Sequence, residues 1–163
     1  MKKRVRNVWQ DALKFVALFA VLTASAYAAL AFTPLSQVFS EIAARSSTLV
    51  LQALGVESSI AYENVVPHVV TATADAEINA VCAGLVEIAV LFGIVFASFE
   101  KALRSRVKGF ALGLLVLLLF NPFRIALSLK YVDPIVHDVL FRVTLVVVLV
   151  TYYAIWYYWN NNK

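Results

Sequence analysis

Four long apolar runs, parted by short charged or polar stretches, constrain this chain more than any other feature. They extend from about Phe15 to Phe32, Ala83 to Phe99, Phe110 to Leu129 and Ile135 to Trp159. A hydrocarbon core of roughly 30 Å needs about 20 apolar residues in helical form. The runs predict a mainly α, polytopic membrane protein forming one membrane domain over residues 1–163. Its four transmembrane helices are expected at about 13–32, 83–99, 110–129 and 137–159, with 33–81 an extracytoplasmic segment. The composition agrees. Hydrophobic residues make up 62% and charged ones 15%, against about half and a quarter in soluble domains. Mean hydropathy is +0.82.

The first run has a rival reading as a cleaved signal peptide, because Ala26-Tyr27-Ala28 resembles a small-residue cleavage site. The apolar run continues through Ala29-Leu30-Ala31-Phe32, which favours a retained span. After it, Thr33-Pro34 reads as a helix N-cap followed by proline at the first helical position. From Val38 to Leu54 the pattern is amphipathic. Val38, Phe39, Ile42, Ala43, Leu49, Val50, Ala53 and Leu54 take one side, and Glu41, Arg45, Thr48 and Gln52 the other. An outer interfacial helix, or one laid against the bundle, is expected here, closed by Gly55. Glu41 and Arg45 have the spacing to pair.

Residues Ser58 to Val81 are rich in strand formers and are broken by Glu63-Asn64, Pro67 and Asp75. A small extracytoplasmic β-hairpin or meander is expected, with His68 on it as a solvated side chain. The exit of the fourth run carries Tyr152, Tyr153, Trp156, Tyr157, Tyr158 and Trp159, the pattern of an interfacial aromatic belt.

The charges set the orientation. Lys2, Lys3, Arg4, Arg6 and Lys14 flank the first run, and Lys101, Arg104, Arg106 and Lys108 join the second to the third. The segment from Thr33 to Val81 holds Arg45 against Glu41, Glu57, Glu63, Asp75 and Glu77. The positive-inside rule puts both termini and the basic loop in the cytoplasm. The basic blocks sit beside apolar runs, so the net charge of +4 is explained by topology and no nucleic-acid partner is expected.

That topology brings three polar groups to the outer membrane face. Cys82 opens the second span, Arg124 lies about one turn below the outer end of the third, and Asp133-Pro134 starts the fourth so that His137 falls in its first turn. A thiol at a helix N-terminus near a cation is expected to have a lowered pKa. An arginine within a span is costly and is a functional candidate by default. Its planar fork suits a carboxylate or an oxyanion, and a histidine can move the thiol proton. Bland readings stand beside these: a snorkelling or lipid-binding Arg124, a capping His137, and Arg142 anchored to headgroups. Glu87 is placed to pair with Arg124, and Asn121 to orient the guanidinium or a substrate amide.

A single cysteine excludes an internal disulfide and dithiol chemistry, and no metal-ligand spacing or cofactor motif is present. No metal and no cofactor are expected. The same groups leave other classes open. These are a non-catalytic membrane scaffold, a small transporter or proton relay using Glu87, Arg124 and His137, and a lipid-modifying acyltransferase.

In combination, Cys82-Ala83-Gly84, Asn121-Pro122-Phe123-Arg124 and His137 resemble the signature elements of the exosortase/archaeosortase family. The resemblance covers about Gly55 to Leu149 and implies a membrane-embedded cysteine protease/transpeptidase. Such enzymes cleave a C-terminal sorting signal of exported proteins, made of a short motif, a transmembrane helix and a basic tail. The new C-terminus then passes through a Cys thioester to a membrane lipid, a lipid-linked group or another acceptor. The resemblance implies Cys82 as nucleophile, Arg124 as transition-state stabiliser and His137 as general base and acid. Gly84 is read as allowing close approach of the substrate backbone. Ala83 stands where Ser is commoner, and the chain is short for the family.

Overall fold

The computed structural model describes residues 8–131 and 143–159. The basic amino terminus (Lys2, Lys3, Arg4, Arg6), the Asp133-Pro134 turn, His137 and Arg142 lie outside the described residues. Among those described, α1 is Val8–Ala31, α2 Leu35–Ala53, β1 Ser58–Glu63, β2 Val66–Thr71, β3 Asp75–Glu77, α3 Leu85–Ala97, α4 Leu103–Lys130 and α5 Thr144–Trp159. The chain is mainly helical with a small three-stranded sheet, as expected.

Two helices, Trp9–Ala31 and Leu103–Lys130, are long and apolar enough to cross a membrane. Of the other two apolar helices, α3 is shorter than expected, and the described part of α5 runs from Thr144 to Trp159. The second run forms 13 helical residues and not the 17 from 83 to 99, about 20 Å at 1.5 Å per residue. Its first residues are used in a turn, and its last break at Ser98 into the loop before α4. The third run grows instead, because Arg104, Arg106 and Lys108 join the first turns of α4.

α1 packs along α3 at close range. A Cβ on Gly93 would stand 2.0 Å from Thr23 Oγ1, so only glycine admits the neighbouring helix. Elsewhere on α1, Val16, Leu18 and Val21 are exposed, as lipid-facing residues of a span would be.

α2 forms as expected and packs mainly through its small residues. Its buried residues are Ser40, Ala43, Ala44, Ser47, Thr48 and Leu51, whereas Val38, Ile42 and Leu49 are exposed. Thr48, expected on the polar side, is therefore inside. Small residues let helices approach closely, and their hydroxyls are satisfied within the helix. Ser47 Oγ donates to the Ala43 carbonyl at 2.6 Å and Thr48 Oγ1 to that of Ala44 at 2.9 Å. The cap also differs. Thr33 donates back to the Ala29 carbonyl and Pro34 takes the N-cap position. Gly55 does close α2, at φ +75°, with Gly55 N–H donating to the Gln52 carbonyl and Val56 N–H to that of Leu51.

The sheet is an antiparallel meander in the order β1-β2-β3. Val69 and Ile78 are fully buried, and with Ile60 and Ala76 they pack into a core shared with Ala43, Ala44, Leu51, Ile125, Ala126 and Leu129. Tyr62 donates to Glu41 Oε1 at 2.7 Å, and Arg45 Nε reaches the same oxygen at 2.6 Å. His68 is not simply solvated. Its ring is largely covered and lies 3.0 Å from Asp75 Oδ1 through Nδ1.

A second core joins α3, α4 and α5 around Ile88, Leu91, Val95, Leu117 and Trp156. The expected aromatic belt is largely turned inward. Trp156 covers Gly109, Tyr152 donates to the Gly109 carbonyl, and Tyr153 hydrogen-bonds Ser98 at 2.9 Å. Lys101 donates to the Tyr157 carbonyl at 2.9 Å and stands 4.4 Å from the centre of that ring. Tyr158 does face out. A belt residue satisfies its polar tip either at headgroups or, as here, on a neighbouring loop.

Candidate active site

Cys82 does not start α3. It sits in a turn three residues ahead of Leu85, closed by Gly84 N–H to the Val81 carbonyl and Leu85 N–H to that of Ala80. Asn79 shapes this turn from its own side chain: Oδ1 accepts from Val81 N–H at 3.0 Å and Cys82 N–H at 3.1 Å. An asparagine bonding the backbone two and three residues on is a compact turn device. Gly84 holds the N-cap at φ +82°, the left-handed region that glycine adopts without steric cost. A Cβ there would meet Asn121 and Glu87 only at 3.7 Å, ordinary contact. Within the protein itself, the requirement for glycine is thus backbone conformation.

α4 supplies the other side of the site. Asn121 Nδ2 and Arg124 Nη2 both donate to the Cys82 carbonyl oxygen, at 3.0 and 3.3 Å. Asn121, expected to orient the guanidinium or a substrate amide, shares the Cys82 carbonyl as an acceptor with Arg124. Pro122 lies inside this helix, where its missing N–H frees a backbone carbonyl one turn earlier. Arg124 is 1% exposed, the largest fully buried side chain in the described protein. Its Nη1 lies 3.6 Å from Glu87 Oε1, the pairing expected of Glu87. Cys82, Gly84, Glu87, Asn121 and Arg124 are thus gathered in one place. His137 lies outside the described residues.

Among the described residues, the buried Glu87 Oε2 and Asn121 Oδ1 have no hydrogen-bond partner. Both residues line a small void beside Gly84, with Ala83, Ile88, Leu117 and Leu118. On the opposite side of the turn, a cavity of about 240 Å³ is lined by Ala76, Glu77, Ile78, Cys82, Ile125, Ser128 and Leu129. The thiol therefore borders space large enough for part of a peptide.

The Cys82 thiol differs from expectation. Burial pushes it up from its ordinary value, and Glu77 and Glu87 push the same way. A main-chain hydrogen bond from Asn79 and the Arg124 charge pull it down without prevailing. Because helix-terminal fields fade within a turn, a thiol three residues ahead of α3 gains less than one at its first residue. Sequence reasoning missed Asn79 and Ser128. The first could be found from its position two residues before Val81, and the second carried no signal.

Among the described residues, no group of three His, Cys, Asp or Glu side chains is placed to hold a metal ion.

No curated protein and no solved structure matches the chain. The family described as transmembrane exosortase (Exosortase_EpsH) matches residues 8–133. That stretch takes in Asn79, Cys82, Glu87, Asn121 and Arg124 and stops short of His137. Members of this family are in general membrane cysteine peptidases or transpeptidases that act on proteins with C-terminal sorting signals. With most of its length inside that match, the chain belongs to the transmembrane exosortase family.

Proposed function

We propose that the protein is an intramembrane cysteine transpeptidase, with Cys82 as nucleophile, Arg124 as oxyanion stabiliser and His137 as general base and acid. The observation carrying this reading is the hold that α4 has on the thiol-bearing turn. Two polar side chains of α4, Asn121 and Arg124, converge on the Cys82 main chain. Burying an arginine in such a place is costly, and a purely structural turn has cheaper anchors.

The reaction proceeds in two halves. The Cys82 thiol gives its proton to His137, and the thiolate adds to the scissile carbonyl carbon. Arg124 holds the oxyanion that forms. The carbon–nitrogen bond then breaks, and His137 returns the proton to the departing amine. The resulting thioester is attacked by an amine, a hydroxyl or water. A lipid or lipid-linked acceptor would leave the exported protein anchored.

The raised thiol pKa fits a nucleophile activated only when its base is engaged. Such a site spares the resting enzyme from non-specific alkylation and oxidation. The basic first turns of α4 support a cytoplasmic start for that helix. Four spans, cytoplasmic termini and an outward-facing site then follow as the proposed topology.

The test is incubation of the purified full chain, in lipid nanodiscs, with a tagged exported protein bearing motif, apolar span and basic tail. Cleavage, and an adduct at Cys82 released by hydroxylamine, are expected. Undiminished cleavage by Cys82→Ala overturns the proposal.

A further inference from the structure

Among the described residues, the sheet beside Cys82 ends in an open edge. β3 is the last strand in the order β1-β2-β3, and its pairing with β2 fixes which backbone groups are used. Ile78 N–H donates to the Pro67 carbonyl and Thr71 N–H to that of Ala74. In an antiparallel ladder the residues that exchange bonds alternate. Ala74, Ala76 and Ile78 therefore face β2, and the N–H and C=O groups of Asp75 and Glu77 point off the sheet. An edge of this kind is a template for another strand.

This edge borders the thiol. Ala76, Glu77 and Ile78 line the same 240 Å³ cavity as Cys82, opposite Ile125, Ser128 and Leu129 of α4. The cavity falls below the roughly 300 Å³ at which sites for drug-sized molecules begin. It suits one side chain of an extended backbone better than a folded element. Successive outward pairs in a strand are about 6.8 Å apart, so Asp75 and Glu77 can register two alternate residues of a ligand.

We propose that β3 binds the substrate by strand addition. The occupant is the extended segment of the exported protein that immediately precedes its own membrane span. Asp75 and Glu77 exchange backbone hydrogen bonds with alternate residues of this segment, and an intervening side chain enters the cavity next to Cys82. Backbone pairing supplies affinity without regard to sequence, and the cavity supplies selectivity. Both edge residues are acidic and exposed, so acidic substrate residues directly opposite them are disfavoured. The proposal rests on the transpeptidase reading, since it assumes that the scissile bond is delivered to Cys82.

The experiment uses the full chain in nanodiscs and a semisynthetic sorting-signal substrate N-methylated at one backbone amide at a time upstream of the cleavage site. Methylation is expected to raise KM about tenfold at alternate positions and to be tolerated between them, as loss of one or two hydrogen bonds implies. In Glu77→Pro, which removes an outward N–H and no β2 bond, KM is expected to rise by a similar factor. Its kcat is expected to change less than KM, and Cys82 alkylation is expected not to slow, since the Glu77 charge that holds the thiol up is removed. A scan with no alternation overturns the proposal, and it decides alone if Glu77→Pro fails to fold. Full cleavage by Cys82→Ala would instead overturn the transpeptidase reading, whereas dependence on Cys82 with a flat methylation scan removes strand addition only.

Discussion

Two buried cations at opposite ends of this protein have been given different work. Lys101, at the α3–α4 loop, is tied by the Tyr157 carbonyl at 2.9 Å and by the face of the same ring. Arg124 is deeper, at 1% exposure against 8%, and among the described residues it meets the thiol-bearing turn, 3.3 Å from the Cys82 carbonyl, and lies 3.6 Å from Glu87. Among the same residues, its neighbours Glu87 and Asn121 keep a buried oxygen apiece unpartnered. The aromatic clamp at one end is built to stay shut. The site at the other end holds unspent polar capacity, and polar capacity left unspent in a low-dielectric place is what binding and catalysis use.

The sharpest break of that comparison is to remove each cation in turn. Arg124→Ala is expected to lower turnover by about 100- to 1000-fold, as loss of an oxyanion donor does. Arg124→Lys should restore little, because an ammonium lacks the planar fork. Lys101→Met should leave turnover within about threefold while lowering the thermal midpoint, since a lost charge-assisted hydrogen bond costs stability. Equal losses of turnover at both ends would erase the distinction.

Glu87 separates pairing from chemistry. Glu87→Leu removes the carboxylate beside a buried guanidinium, and a loss of about 3 kcal/mol is expected by denaturation in micelles. Glu87→Gln keeps a hydrogen-bond acceptor and should unfold closer to the parent while losing part of the rate. At the clamp, Gly109→Ala places a Cβ 2.2 Å from Trp156 Nε1. Overpacking of this kind costs about 1–3 kcal/mol. It should lower stability without changing KM.

Cys82 adds a pH reading. Its thiol is held up by burial and pulled down by Arg124, so in the resting enzyme alkylation by a small maleimide should accelerate only above the ordinary thiol range near pH 8.5. Arg124→Ala removes a downward pull, and its alkylation profile should move to still higher pH. A profile moving lower would mean that the arginine does not act on the thiol through its charge.

Much of this was legible in the sequence, for particular reasons. Apolar run length fixed the helices as helices, and strand formers punctuated by Pro67 and Asp75 foretold the meander. The union of Cys82 with Asn121 and Arg124 followed from counting along two antiparallel apolar runs. What the sequence left open was which side chains would meet inside the protein. The buried side of α2 is Ala43, Ala44, Ser47 and Thr48 and not the Val38, Ile42 and Leu49 side. In lipid the large apolar residues have no reason to turn inward, and small ones allow close approach. The aromatic exit of α5 folded onto Gly109 and Lys101 because glycine left room there, which hydropathy does not record. The short α3 was hidden for another reason. Turn residues Ala80 to Gly84 are as apolar as the helix they precede, and only Asn79 and the left-handed Gly84 mark the break.

The smallest expected effect lies where the sheet meets α2. Tyr62 and Arg45 both bond Glu41 Oε1, and all three side chains are in contact with solvent. The Tyr62 hydrogen bond, more than Arg45, holds the Glu41 carboxyl below its ordinary value. A carboxylate with a lowered folded-state pKa contributes stability above its unfolded pKa, and that contribution fades as pH falls through the folded value. Tyr62→Phe should therefore change the thermal midpoint at pH 7 by less than any substitution above, and by less still at pH 3. The sheet would remain seated, because Val69 and Ile78 are fully buried beneath it. If Tyr62→Phe instead detached β1–β3, Cys82 alkylation would quicken as the cavity opened. The outer end would then depend on an exposed polar latch and not on its apolar seat.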